Sequence, residues 1–267
     1  MTPATGFAGI GIDTGSTTCK AVAVDRSGSI VASHLEAAQP RVEDQADGLV
    51  ARLGGRPGEE EGAPVVATGY GRRLVRCADR QVTEITCHAR GAFRHLEGPG
   101  TVIDLGGQDS KVVRFGEQGR PLDFAMNDKC AAGTGRFLEH IAGRLGLTVG
   151  ELGRRALDSG GEERITSTCT VFAESEIISL IAGGAGIDDI LRGLHRSLVG
   201  RIVALVRSIR WAPPVVLSGG VARNGAVHAM LADSLGVEVT VPDQPQLIGA
   251  HGAALLAAES GRTAGSG

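Results

Sequence analysis

The chain has 267 residues, 41 of them glycine, about 15% and roughly twice the usual share. Hydrophobic residues are 42%, charged residues 21% and the net charge is −3; with only 10 prolines, these values exclude a disordered chain, a collagen and a broadly basic nucleic-acid binder. No apolar run approaches the roughly 18 residues that span a bilayer, and no basic-then-apolar signal opens the chain, so a cytoplasmic protein without membrane or nucleic-acid partners is expected.

Elements follow in chain order. β-branched residues flank a Gly turn at Ile10–Val22, the pattern of strand, tight turn and strand. A helix is predicted over 42–53, then a Gly/Pro/Glu-rich solvated loop over 54–62, a strand over 65–68 and a helix over 84–96. Gly98-Pro99-Gly100 breaks that helix and sets a boundary between residues 1–97 and 98–267. A second strand–turn–strand segment follows at Val102–Val113, then helices over 133–145 and 171–182. The helix predicted over 187–209 carries Ile190, Leu191, Leu194, Leu198, Ile202, Leu205 and Val206 on one face. Val215-Val-Leu-Ser-Gly-Gly reads as a buried strand ending in a turn, 249–260 as a small-residue helix and 262–267 as a frayed tail.

The two strand–turn–strand segments are copies. A shift of 91 positions lays Asp13 on Asp104, Gly15 on Gly106, Lys20 on Lys111 and Val22 on Val113. Each turn offers backbone N–H donors beside an acidic side chain, which suits a phosphate and its Mg²⁺. Ser16, Thr17, Thr18 and Lys20 supply the first set of donors; Gly106, Gly107 and Gln108 supply the second. A third Gly turn, Ser218-Gly219-Gly220-Val221-Ala222, follows a buried strand. The plain alternative is two ordinary hairpins. No Walker or Rossmann glycine pattern is present.

The five cysteines, Cys19, Cys77, Cys87, Cys130 and Cys169, are odd in number and include no CxxC pair. A disulfide framework is not expected, and any metal would draw ligands from distant positions or from two chains. On spacing alone, each cysteine reads as a small buried hydrophobe.

These motifs resemble the phosphate-1, phosphate-2 and adenosine motifs of the actin, Hsp70 and sugar-kinase ATPases. Within that superfamily the chain resembles the activator ATPases of 2-hydroxyacyl-CoA dehydratases and the related ATPase subunits of benzoyl-CoA reductase. The stretches that carry this resemblance are Thr68-Gly-Tyr-Gly-Arg72, Glu84-Ile-Thr-Cys-His-Ala89, Val102–Lys111, Asn127-Asp-Lys-Cys-Ala-Ala-Gly-Thr-Gly-Arg-Phe-Leu138 and Ser167-Thr-Cys-Thr-Val-Phe-Ala-Glu-Ser-Glu176.

The resemblance implies a duplicated ribonuclease-H-like α/β fold, with two related halves around a nucleotide cleft and the C-terminal helix packed back on the first half. It implies ATP or ADP with Mg²⁺, Asp13 and Asp104 positioning metal and water, and Gln108 orienting the attacking water. Nucleotide contacts are implied for Gly15, Ser16, Thr17, Thr18, Cys19, Lys20, Gly106, Gly107, Lys111, Thr134, Gly219, Gly220, Val221 and Gln246. Cys130 and Cys169 would ligate one 4Fe-4S cluster bridging a homodimer. Both precede predicted helices, whose N-termini favour thiolates. Ferredoxin or flavodoxin would donate the electron, and an iron–sulfur acyl-CoA dehydratase or reductase would accept it.

Two readings compete with the dehydratase activator: an ATPase subunit of a benzoyl-CoA reductase, and a sugar- or pantothenate-type kinase of the same fold. A switch of the Hsp70 type would need a peptide-binding domain, for which no residues remain. Glu174 and Glu176 read as solvated or helix N-terminal charges, Lys129 as a surface or cluster-tuning charge, and His88 as a packing residue. His251 stands where the family more often has an aliphatic residue, which leaves its local packing open.

Overall fold

The computed structural model describes residues 7–54, 62–129, 133–167 and 170–264. Cys130, Cys169, most of the loop over 54–62 and the last residues of the tail lie outside the described residues. The chain divides into two compact units: Met1–Pro99 with Phe115–Leu122 and Gln246–Gly267, and Gly100–Arg114 with Asp123–Pro245.

The first unit is built on a five-stranded sheet of order β3-β2-β1-β4-β5. Its strands are β1 (Gly9–Thr14), β2 (Thr18–Val24), β3 (Ile30–Ala37), β4 (Val65–Thr68) and β5 (Arg80–Gln81). β1 and β2 form an antiparallel hairpin, β3 pairs antiparallel with β2, and β4 and β5 run parallel to β1. The helices are α1 (Val42–Arg52), α2 (Glu84–Leu96) and α8 (Ile248–Ala264). α2 spans the predicted residues, opened by Thr83, whose side chain accepts a hydrogen bond from Thr86 N.

α8 explains part of the glycine excess. It lies so close on β1 that a Cβ at Gly11 would stand 2.1 Å from the Ala250 carbonyl oxygen. It meets α2 as closely, since a Cβ at Gly252 would stand 1.8 Å from the Cys87 carbonyl oxygen. The 115–122 segment belongs to this unit for the same reason: Gly119 packs on the backbone of Ala89 and Arg90 in α2.

The second sheet, β8 (Pro121–Asn127), β7 (Ser110–Phe115), β6 (Gly100–Leu105), β9 (Val215–Ser218) and β10 (Val239–Thr240), follows the same order read from its far edge. β9 runs parallel to both β6 and β10. β6 repeats β1 at the predicted displacement: Gly9 to Gly100 and Thr14 to Leu105 are each 91 residues. Two α/β halves of ribonuclease-H-like strand order are therefore present, as the repeat implies.

The helices of the second unit are α3 (Gly135–Leu145), α4 (Val149–Asp158), α5 (Thr170–Ala182), α6 (Ile187–Arg207) and α7 (Gly225–Leu235). Six of the seven apolar positions predicted on α6 are buried in the core against α4, α7 and the sheet, and Leu205 packs at its margin. No described helix is long and apolar enough to cross a membrane.

Candidate functional site

The first turn sits at the end of β1. Asp13 faces Lys20 across the hairpin, and Lys20 Nζ donates to Asp13 Oδ2 at 3.0 Å with both side chains largely shielded from solvent. Gly15 N donates to Thr18 O at 3.1 Å and closes the turn. Thr14 Oγ1 donates to Thr68 O at 3.0 Å and ties the turn to β4. After β4 comes Gly69 at φ +91°, where a Cβ would stand 2.6 Å from Asp13 Oδ1. Glycine thus leaves the space that the Asp13 carboxylate occupies.

Ser16, Thr17 and Thr18 are half-buried. Among the described residues, the buried Thr17 hydroxyl finds no hydrogen-bond partner. Cys19 points into the apolar core of this unit, and burial, with Asp13 next, pushes its thiol up to about 12. A ligand at this turn would meet the Cys19 backbone and not its sulfur.

The second turn repeats the first with a richer charge set. Lys111 Nζ lies 3.6 Å from Asp104 Oδ2 and also pairs closely with Asp109; all three side chains are at most 6% exposed. Gly106 N donates to Asp109 O at 2.9 Å to close this turn. Ser218, at the end of β9, donates from Oγ to Asp104 Oδ1 at 2.7 Å. Gly219 then adopts φ +87° and ψ 177°, and a Cβ there would stand 2.2 Å from the Leu105 carbonyl oxygen.

The turn is also fixed from the α3 side, where Gly135 N donates to Gly106 O and Arg136 N to Gly107 O, each at 2.9 Å. Thr134, the residue before α3, is fully buried. Gln108 and Gly220 are exposed, and Val221 is buried. Gln246 belongs to the first unit, one residue past Pro245, whose carbonyl accepts from Gly219 N at 2.9 Å.

The predicted residues therefore gather in two sets, Asp13, Gly15 and Lys20 with Gly69, and Asp104, Gly106 and Lys111 with Gly219. Two features add to the sequence reading. Asp109 is a second buried carboxylate on Lys111, so the second turn brings two carboxyl groups to one lysine, a donor set that suits a cation. Gly69 and Gly219 are equivalents, each directly after the strand parallel to its hairpin. The paired stretches Thr68-Gly69 and Ser218-Gly219 are the sequence signal for that equivalence.

In the sequence, Cys130 and Cys169 precede α3 and α5. Both predicted helices are present, with α5 beginning at Thr170, the residue after Cys169. Glu174 and Glu176 on α5 are not merely solvated charges. Glu174 accepts from His140 and Arg144 of α3. Glu176 accepts from Thr166 N, Thr166 Oγ1 and Ser167 N, each at 2.8 Å, pinning the segment that leads to Cys169. Partial desolvation would raise the Glu176 carboxyl, but these hydrogen bonds outweigh it and hold it at about 2.

Burial likewise pushes the thiols of Cys77 and Cys87 up to about 12, consistent with structural cysteines. His88 packs on Gly249 and bonds through Nδ1 to Glu84 O, as a packing residue would. His251 Nε2 donates to Gly28 O at 2.9 Å, which accounts for a polar ring at that position.

The BadF/BadG/BcrA/BcrD ATPase family matches residues 10–257. The chain belongs to this family. It is 44% identical over 250 residues to the 2-hydroxyisocaproyl-CoA dehydratase activator of Clostridioides difficile, covering 93% of this chain and 94% of that one. It is 42% identical, over 93% of its length and 96% of the relative, to the (R)-2-hydroxyglutaryl-CoA dehydratase activating ATPase of Acidaminococcus fermentans. The solved activator of the 2-hydroxyisocaproyl-CoA dehydratase from Clostridium difficile with bound ADPNP superposes with a TM-score of 0.88 at 42% identity, covering 97% of each chain. Similarity to a benzoyl-CoA reductase subunit of Thauera aromatica is lower, 33% over 73% of this chain and 71% of that one.

Proposed function

We propose that this protein is an ATP-hydrolysing activator that drives one-electron transfer to a 2-hydroxyacyl-CoA dehydratase. The observation that carries the reading is the duplicated buried Asp–Lys pair, held at the same strand position beside the same Gly turn in both units. Family membership and the higher identity to dehydratase activators favour this reading over the benzoyl-CoA reductase subunit.

The backbone donors of each turn serve the phosphates of ATP. The donor set also fits Mg²⁺, since the carboxylates are hard ligands and the second turn sets two of them beside one lysine. Asp13, Asp104 and Asp109 are the residues that would hold the metal, which neutralises phosphate charge when bound. Gln108, exposed at the second turn, orients the attacking water, and Lys20 and Lys111 keep the carboxylates in place. Thr134, Gly219, Gly220, Val221 and Gln246 complete the nucleotide contacts.

For the iron–sulfur cluster, thiolates at Cys130 and Cys169 are the soft donors a 4Fe-4S group takes. Two per chain make a set of four only in a homodimer. The free N–H groups at the start of α5 favour a thiolate at Cys169. When bound, the cluster carries one electron at low potential, received from ferredoxin or flavodoxin in the cytoplasm.

Anaerobic purification with iron, sulfide and ATPase assays in one sample tests the reading. About four irons per dimer are expected, with loss of the cluster in Cys130→Ser or Cys169→Ser. A colourless protein that phosphorylates a sugar would overturn it.

A further inference from the structure

α3 and α5 are the helices that follow Cys130 and Cys169, and the two ends of this pair meet different parts of the proposed machinery. The first backbone donors of α3 hold the carbonyls of Gly106 and Gly107 in the second phosphate turn. Further along α3, His140 and Arg144 stand one helical turn apart on one face. His140 Nε2 donates to Glu174 Oε2 at 2.5 Å, and Arg144 Nε donates to Glu174 Oε1, so both carboxylate oxygens are engaged. Glu174 is the fifth residue of α5.

Among the described residues, little besides Ala173 and Ile177 in the shared core fastens α5 to α3. Only Ala173 and Ile177 of its 13 residues are buried, and Val171, Phe172, Ile178 and Ile181 are exposed. The space between the helices is an open groove of about 240 Å³ lined by Ile141, Leu145, Ile177, Ile178 and Ile181, with Arg144 and Glu174 as its charged wall. An interdigitated interface would transmit displacement through packing. Here the groove leaves that role to the carboxylate. The hydrogen bond from His140, and then that from Arg144, hold the Glu174 carboxyl below the usual carboxylate range, so it is charged at neutral pH.

We propose that Glu174 is a positioning residue that joins the second phosphate turn to the Cys169 end of α5, so that nucleotide state is felt at the cysteine. A shift of Gly106 and Gly107 travels along α3 as along a rod and passes to α5 at the Glu174 carboxylate. This inference rests on the nucleotide reading of the turn and the cluster reading of Cys169. It adds the side chain, Glu174, through which α3 holds α5.

The test uses cluster-free, reduced, full-length protein. Alkylation by iodoacetamide is followed at each cysteine by peptide mass spectrometry, with and without ADPNP. The thiols of Cys19, Cys77 and Cys87, held near about 12, give a slow background. In the unaltered protein ADPNP changes the Cys169 rate by about fivefold or more, within the usual range of allosteric coupling. Glu174→Ala and Arg144→Glu each reduce that response to less than about twofold and leave ADPNP affinity within about twofold. The charge-reversed pair Arg144→Glu with Glu174→Arg restores most of the response, which a purely structural loss would not allow.

A Glu174→Ala protein that keeps the full response, or a reversed pair no better than Arg144→Glu alone, overturns the proposal. So does an unaltered protein that binds ADPNP without any change at Cys169. An unaltered protein that does not bind ADPNP overturns instead the nucleotide reading beneath it.

Discussion

Replacing Gly219 by alanine is the most severe single-methyl change the second unit offers. Its φ of +87° and ψ of 177° lie in a region open essentially to glycine alone, which costs an alanine about 1–3 kcal/mol. The added Cβ would stand 2.2 Å from the Leu105 carbonyl oxygen. That oxygen belongs to β6, paired on its other side with β7, so it cannot retreat cheaply. Relieving such overpacking costs about 1–3 kcal/mol more. The loss is thus about 2–6 kcal/mol, a melting temperature lower by about 4–24 °C for a domain of this size. If the loop moves to avoid the clash, ADPNP affinity falls by about tenfold or more. Gly200→Ala is the control: Gly200 lies exposed in α6 with nothing within 4 Å of a new Cβ, so it should gain about 0.5–1 kcal/mol. Scanning calorimetry and titration calorimetry with ADPNP measure both quantities. A Gly219→Ala protein with unchanged melting temperature and affinity would refute the steric reasoning.

Other expectations concern the charged groups. Asp109→Asn should destabilise by about 2–3 kcal/mol in urea unfolding, below the 3–5 kcal/mol of a fully orphaned buried ion because Asp104 still faces Lys111. Adding Asp104→Asn should cost more than the single changes predict, because Lys111 then loses both partners. Gln108→Ala should lower kcat for ATP by about 100-fold with little change in KM, since an exposed water-orienting side chain acts on the chemical step. Glu176 is depressed to about 2 in the folded chain, so its stabilisation is present above about pH 4.5 and fades as pH falls toward 2. Glu176→Gln should flatten the stability profile in that acid window; an unchanged acid limb would argue against the hydrogen-bonded clamp on Thr166 and Ser167.

The parts of the fold that are legible in the sequence are those where one local rule dominates. β1 and β6 are uniformly buried strands ending in Asp-x-Gly turns, and α2 opens on Thr83 and closes near glycine. β3 and β8 are different. Their exposed and half-buried positions include Val31, Leu35, Phe124 and Met126, so the inward–outward alternation carries no clean polarity signal. α4 is legible on two counts, since Val149, Leu152 and Ala156 fall at helical spacing and Thr148 and Glu151 form a capping box. At the candidate site, Asp13, Asp104 and both lysines follow from the repeat, whereas Asp109 falls at a position the first turn does not duplicate. The role of Glu176 is hidden in the sequence because its partners, Thr166 and Ser167, lie in an irregular segment whose return to the helix no periodicity encodes.

The seating of α8 against β1 has a consequence for biosynthesis. β1 is completed by α8, a helix translated much later, because Gly9 and Gly11 are shaped to receive the α8 backbone. The second unit ends at Pro245 and holds its own apolar core, so it can be completed without α8. Completion of the two units therefore departs from the usual N-terminal-first order, since the unit that holds β1 needs the later segment. A released chain truncated after Pro245 should hold a protease-resistant C-terminal unit joined to an N-terminal sheet that is still cut.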